Sequence, residues 1–336
     1  MQYINYGKIK KNNFVENILT TEFNLNKMPL LFGGDMLIKI SEASKLSNIP
    51  ETTIRDMIKD GRVKAQQGEN ERIERLEKVD FLQSIPTVIT FFNQKGGVGK
   101  STATVLFTDF LKKHNLKTLL VDLDPQASIT DIYLKYDRDR ATLYEHLENN
   151  TPLQNIVCKI DDNTDILPAS LKMSRKAFIY ESELLQHKEK MYSFFKKYQV
   201  IVVDCPPTMN SFSRFGVLLS NFIMIPLVAH PLCYDGLDEA LRTIKNLREM
   251  NKDFIDYYGF MSMYEGVETS LGKSMLEEYK NGLKEKLFEE KIRKFIGFAE
   301  RTAVEESIFE LYKDKKPVEE LEDLFKSMMK KVYDER

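Results

Sequence analysis

The residues with the most explicit chemistry lie in one run, Asn93-Gln94-Lys95-Gly96-Gly97-Val98-Gly99-Lys100-Ser101-Thr102. Glycines at this density let a backbone curl until its amide N–H groups converge, and converging amides bind anions. Lys100 adds a charge suited to phosphate oxygens, and the Ser101 hydroxyl is a hard donor suited to Mg²⁺. The chemistry is capture of a nucleotide's phosphates, with Lys95, Gly96, Gly97, Val98, Gly99, Lys100, Ser101 and Thr102 as the cradle. The ordinary pattern G-x-x-x-x-G-K-[ST] puts its first glycine on Gln94 here, so the strict pattern fails. A second lysine, Lys95, stands directly before the glycines instead. The bland alternative is a glycine-rich turn with incidental lysines.

Two apolar runs end in acids. One is Leu119-Leu120-Val121-Asp122-Leu123-Asp124-Pro125-Gln126, and the other is Ile201-Val202-Val203-Asp204-Cys205-Pro206-Pro207. Alone, an aspartate after an apolar strand is often only a loop cap. Beside a phosphate loop it can hold Mg²⁺ directly or through water.

These residues need elements to hold them. The apolar run Val88–Phe92 enters the glycine loop, and a helix to about Lys113 leaves it, which is the context a phosphate loop requires. Further strands are expected at Thr118–Val121, Val200–Val203, Phe222–Leu227 and Tyr258–Met261, separated by helical stretches. Apolar strands with helical crossovers predict an α/β fold, a doubly wound and mostly parallel sheet covered on both faces. Ligands of such sheets sit at the carboxyl ends of the strands, where the acids fall.

The chain has 336 residues, enough for about two domains, and 42% of them are apolar, which excludes global disorder. With 49 basic and 51 acidic residues the net charge is −2, so any nucleic-acid surface must be a local patch. Cys158, Cys205 and Cys233 lack the spacing of a disulfide framework or a metal site and read as thiols in a reducing cytosol. No signal peptide is visible and the longest apolar runs are too short to span a bilayer, so a soluble cytoplasmic protein is expected. Residues 1–36 form an N-terminal arm ending in Gly33-Gly34-Asp35. Residues 37–85 have helix-turn-helix texture: a helix capped by Ser41, a turn at Ser47–Pro50, and a helix from Glu51 to Asp60 stopped by Gly61. A wing over Arg62–Arg72 and a third helix over Glu77–Ser84 follow. Residues 86–336 make the phosphate-loop domain.

The loop from Lys95 to Thr102, the Asp-Leu-Asp-Pro-Gln segment and the Val-Asp-Cys-Pro-Pro segment, in this order, resemble the ParA/MinD family of deviant Walker ATPases. The resemblance covers about residues 86–310. It implies ATP and Mg²⁺ as ligands and a homodimer that closes around ATP. Lys95 resembles the family's signature lysine, which reaches the partner copy's nucleotide. Asp124 resembles the aspartate that positions the attacking water, so Lys95, Lys100 and Asp124 are the implied catalytic set. Asp204 resembles the Walker B residue on the Mg²⁺ shell, with Ser101. Asp122 either supports this loop or joins the metal shell. The Asp-Pro-Gln, Asp-Cys-Pro-Pro and Ile225-Pro226-Leu227 segments resemble the DNA-partitioning branch more than the cell-division branch. That branch implies double-stranded DNA and a centromere-binding ParB-like protein as partners, on the nucleoid. Where the branch usually has Ile-Pro before a basic stretch, this chain has Phe295-Ile296-Gly297-Phe298-Ala299-Glu300-Arg301.

Ile40–Leu46 and Ile49–Arg55 resemble a MerR-like winged helix-turn-helix. On its recognition helix, Thr52, Thr53 and Arg55 would meet base edges, while Lys59, Lys64 and Arg72 suit phosphates. A small helical dimerisation or docking domain is the alternative, since Glu51, Asp56 and Asp60 dilute the charge. By resemblance this segment represses the chain's own operon. Arg293, Lys294 and Arg301, with Lys291, are candidate cations for sequence-independent DNA contact. Leu321, Leu324, Phe325, Met328, Met329 and Val332 follow helical spacing. A membrane-positioning ATPase of MinD type would use such a stripe on lipid. The acids Glu319, Glu320, Glu322 and Asp323 favour packing on the core instead.

Overall fold

The computed structural model describes residues 37–47, 50–59, 63, 65–67, 73–77 and 85–336, save 136, 138, 177, 231–233, 266–269 and 305. The arm over 1–36, Gly61, Lys64, Arg72 and Cys233 lie outside the described residues. Two compact units divide between Leu82 and Gln83.

In the first unit, β1 (Leu37–Ile38) leads into α1 (Ile40–Ser47) and α2 (Glu51–Lys59), followed by β2 (Ala65–Gln67) and β3 (Ile73–Glu77). The strands pair antiparallel in the order β1-β3-β2. Ile40 and Ala43 on α1 are buried, as are Ile54 and Met57 on α2, so each helix turns an i, i+3 apolar pair inward. The helix expected to start after Ser41 starts at Ile40 instead. The Glu42 carboxylate, not Ser41, caps it by accepting the Lys39 N–H at 2.8 Å. Thr52, Arg55 and Lys59 are exposed and Thr53 is half-buried. Arg55 pairs with Glu51 at 3.4 Å and Lys59 with Asp56 at 3.8 Å, so both cations are partly neutralised on their own helix. Of the expected third helix, Glu77 closes β3, and 78–84 lie outside the described residues.

The second unit begins with β4 (Thr87–Phe91), α3 (Lys100–Lys113), β5 (Thr118–Asp122), α4 (Ser128–Tyr133), α5 (Leu143–Asn149), β6 (Cys158–Lys159) and β7 (Thr164–Leu167). It continues with α6 (Glu181–Phe195), β8 (Val200–Asp204), α7 (Ser211–Leu219), β9 (Phe222–Leu227), α8 (Tyr234–Arg248) and β10 (Asp256–Tyr264). The last elements are α9 (Ser270–Leu283), β11 (Leu287–Arg293), α10 (Ile296–Glu300), α11 (Ile308–Leu311) and α12 (Lys316–Asp334).

Its eight-stranded sheet runs β11-β10-β9-β4-β8-β5-β7-β6. Neighbours are parallel except the β6–β7 edge pair. Every residue of β4, β5, β8 and β9 is buried, as unbroken Val/Ile/Leu/Phe runs require when helices cover both faces. The chain leaves β4 for β5 on one side and later builds β9 on the other. The loop after β4 therefore opens at the point where the sheet's winding changes direction, where α/β sheets bind ligands.

One face of α3 packs on the sheet and the other on the C-terminal elements. Phe107 meets Phe91 of β4 with ring centroids 5.7 Å apart and Phe325 of α12 at 5.1 Å. The α12 stripe at Leu321, Leu324, Phe325, Met328, Met329 and Val332 is 0–1% exposed. It is core, bound to α3 and β11, and not a lipid face.

Candidate nucleotide site

The loop after β4 is pinned before it curls. The Asn93 amide is 1% exposed, donates to the Pro226 carbonyl at 2.9 Å, and accepts the Lys95 N–H at 2.9 Å. Gln94, standing where the strict pattern has glycine, donates to the Thr243 hydroxyl at 2.7 Å and the Glu239 carbonyl at 3.1 Å. Its side chain braces the loop against α8. The approach of α8 needs Gly236, where a Cβ would lie 2.9 Å from Asn93 Oδ1 and 3.2 Å from Lys95 Cβ. None of Asn93, Gln94 and Gly236 carries a sequence signal, because their partners lie some 130 or more residues away in the chain.

The curl itself uses left-handed backbone at Gly97 (φ 73°) and Gly99 (φ 86°). A Cβ on Gly99 would also meet Ser262 Oγ at 2.8 Å. Gly96 and Gly97 are exposed and Val98 is buried beneath them. Gly99 is the N-cap of α3 and makes no side-chain cap, so the first-turn N–H groups face outward, available to an anion.

Lys100 is 6% exposed and its ammonium donates to the Lys95 carbonyl at 2.8 Å. Burial pushes its pKa down, against the pull of Asp204, Cys205 and Asp124. Ser101 donates to Asp204 Oδ2 at 2.7 Å and Thr104 to Oδ1 at 3.3 Å, while Thr102 is half-buried on the same turn. Asp204 is wholly buried, and burial, then the nearby Asp122, pushes it up to about 8. A hydroxyl and a carboxylate in contact are a hard oxygen pair, a donor set that fits a small dication.

Asp122 is also wholly buried, and burial pushes it up to about 7. Its oxygens are spent on the loop: Oδ1 accepts the Asp124 N–H at 3.0 Å, and Oδ2 accepts Thr130 N–H at 3.0 Å and Oγ1 at 2.8 Å. Of its two sequence roles, this geometry favours loop support. Asp124 is 9% exposed, and its Oδ1 accepts the Gln126 N–H at 2.9 Å. Ala127, next along, is held at φ 57°, a strained value for a residue with a Cβ.

The C-terminal cations fare differently. Arg293 pairs with Glu320 at 3.0 Å through Nη2, and exposed Lys294 pairs with Glu265. Arg301 corrects its expectation as a surface cation. It is 1% exposed and forked onto buried Asp109, so it offers no charge to a DNA backbone.

A family model described as an AAA domain matches residues 86–256, half of the chain. The chain belongs to that family, as a ParA/MinD-type ATPase. It is similar to the chromosome partitioning protein ParA of Myxococcus xanthus, 25% identical over 216 residues, covering 61% of this chain and 75% of the relative. It is similar to the sporulation initiation inhibitor protein Soj of Bacillus subtilis, 25% identical over 219 residues, covering 63% and 86%. Among solved structures, a plasmid partition protein from Borrelia burgdorferi superposes with a TM-score of 0.60 at 24% identity, covering 74% of this chain and 99% of that one. Cobyrinic acid a,c-diamide synthase from Mycobacterium smegmatis, with bound ADP and magnesium, gives 0.63 at 19% identity, covering 75% and 97%. The likeness shows a shared fold, and in that synthase the fold holds ADP and magnesium. Among the described residues no helix is long and apolar enough to cross a membrane.

Proposed function

We propose that the chain is a DNA-partitioning ATPase of the cytoplasmic nucleoid. ATP with Mg²⁺ joins two copies, the dimer binds double-stranded DNA, and slow hydrolysis, stimulated by a centromere-binding ParB-like partner, resets it. One observation carries this reading: a single loop holds two lysines in different states. The Lys100 ammonium is turned inward onto the loop's own carbonyl. Lys95 is half-exposed and has no ion pair among the described residues. Its charge is available to a facing copy's phosphates, where two nucleotides concentrate negative charge.

The remaining roles follow from position. The cradle from Gly96 to Thr102 wraps the phosphates, and Lys100 moves from the Lys95 carbonyl to phosphate oxygen. Ser101 and Asp204 would hold Mg²⁺, which supplies charge neutralisation across the phosphates when bound. Asp124 orients the attacking water, and Asp122 fixes the backbone of Asp124 while it does so. In the first unit, Thr52, Thr53 and Arg55 on α2 would read base edges of the operator in a winged helix-turn-helix, with Lys59, Lys64 and Arg72 on phosphates. Arg293 and Lys294 serve sequence-independent DNA contact after exchanging their carboxylate partners for phosphates. A membrane-positioning role needs a lipid-facing helix, and the α12 stripe is buried.

Asp124→Ala tests the reading. The variant is expected to bind ATP, accumulate as the ATP dimer and fail to segregate DNA in cells. Normal ATP turnover by this variant would remove Asp124 from its role.

A further inference from the structure

Arg301 sits where three parts of the second unit meet. Its Nε donates to Asp109 Oδ2 at 2.6 Å and its Nη2 to Oδ1 at 2.8 Å. Asp109 lies on α3, the helix that starts at Lys100. The third nitrogen, Nη1, donates to the Val304 carbonyl at 2.7 Å, and Asp109 Oδ2 also accepts the Ile308 N–H at 2.8 Å. The stretch from Arg301 to Ile308 is thereby clamped to the phosphate-loop helix. The guanidinium carbon lies 5.6 Å from the centre of the Tyr133 ring.

Tyr133 is the last residue of α4, a helix of six residues. The first turn of α4 is the one bonded to Asp122, through Thr130. The loop that carries Asp124 and the guanidinium of Arg301 are thus joined by one short helix, about 9 Å long at 1.5 Å per residue. The two ends differ in stiffness. Arg301 has all its nitrogens committed in a buried site and can shift only by breaking bonds to a buried carboxylate. Its contact with the Tyr133 ring is a cation–π contact, which tolerates sliding.

We propose that Arg301 is a positioning residue that couples the Asp124 loop to the segment 294–311, so that the segment's order depends on the nucleotide's γ-phosphate. The proposal rests on the reading above and deepens it. The segment follows directly on β11 and Arg293 and includes Lys294, the cations assigned there to DNA phosphates. A shift of the Asp124 loop tips α4 and changes how far the Tyr133 ring covers the guanidinium, so the Arg301–Asp109 fork, and with it the order of the stretch held at 301–308, tightens or loosens. Arg301 thereby acts on DNA binding without touching DNA.

The test is amide hydrogen exchange across 295–311 in the full chain, with Mg²⁺-ATP against Mg²⁺-ADP. Wild type is expected to show at least a roughly fivefold difference in exchange between the two nucleotides, the low end of ordinary site-to-site coupling. Tyr133→Leu leaves the Asp109 fork intact and is expected to erase the difference while the KM for ATP stays within about twofold of wild type. Tyr133→Phe keeps the ring and is expected to retain the difference. Arg301→Lys keeps the charge but loses the fork, and is expected to behave as Tyr133→Leu. Should Arg301→Lys fail to fold, the tyrosine pair decides alone. Equal exchange with ATP and ADP in wild type overturns the coupling, and so does a Tyr133→Leu variant that keeps the difference. An intact difference without duplex DNA binding in any nucleotide state supports the coupling and removes the partition reading, so the two fail separately.

Discussion

Replacing Arg301 with methionine is expected to destabilise the second unit by about 3–5 kcal/mol, the cost of leaving one partner of a buried ion pair alone. The structure explains the size. Arg301 and Asp109 are 1% and 0% exposed, so neither charge has water to fall back on. Removing the guanidinium deletes both donors to Asp109 and the bond to the Val304 carbonyl, leaving the carboxylate with the Ile308 N–H. A loss of about 3–5 kcal/mol is roughly a fifth or more of the stability of an ordinary domain, and it moves a urea midpoint by on the order of 1 M. Asp109→Leu alone is expected to cost a similar amount. The double variant Asp109→Leu with Arg301→Met is expected to recover most of the loss, because two apolar side chains leave no buried charge to compensate. Urea denaturation followed by circular dichroism, on wild type, both single variants and the double, closes the cycle. A single-variant loss below about 1 kcal/mol would show the pair to be water-accessible in solution. A double variant as unstable as the singles would show that packing, not charge, sets the cost. Either result refutes the argument.

Three further outcomes are expected. Gly99→Ala forces a left-handed backbone on a residue with a Cβ, costing about 1–2 kcal/mol, and crowds Ser262 besides. Its ATP affinity should fall roughly tenfold or more, read by equilibrium binding of a fluorescent ATP analogue, and unchanged affinity would contradict the cradle geometry. Asp204, pushed up to about 8, holds its proton at neutral pH while Mg²⁺ needs the carboxylate, so Mg²⁺ binding in the presence of ADP should strengthen as pH rises towards 8 and then level off. Titration calorimetry at several pH values checks this, and a flat profile would place the metal elsewhere. The same raised pKa makes the metal-free folded state hold a proton that the unfolded chain releases above its ordinary value of 3.8. Its stabilising contribution is therefore full below that value and is lost as pH rises through about 8; Asp122, pushed up to about 7, adds a slope of the same sign, so Asp204→Asn should reduce the slope in urea titrations at pH 5 to 8 and leave the share of Asp122.

The central strands were legible because burial on both faces demands unbroken apolar runs. Val88–Phe92 and Phe222–Leu227 are found within a residue of their expected bounds. The sheet's edges were not legible. Strand β6 has two residues, and β11 carries Glu289, Glu290 and Lys291 in a sequence that a solvated loop would also suit. The glycine loop and its acids could be read directly, since amide convergence and hard oxygen donors impose residue types on neighbouring positions. The braces could not. Asn93 works through Pro226, Gln94 through Thr243, and Asp109 through Arg301, pairs that only the folded chain brings together. The surface role expected of Arg301 fails for the same reason. In sequence Arg301 is one more cation after Lys291, Arg293 and Lys294, and only the burial of Asp109 shows where its charge is spent.

The most direct test of the partition reading is binding to random-sequence duplex DNA, at a stated moderate salt, with ATP, ADP or no nucleotide. Wild type is expected to bind with ATP alone, and Lys95→Ala to lose that binding while still taking up nucleotide through Lys100 and the glycine cradle. Wild type that binds no DNA in any nucleotide state, or a Lys95→Ala variant that binds it as wild type does, would contradict the account.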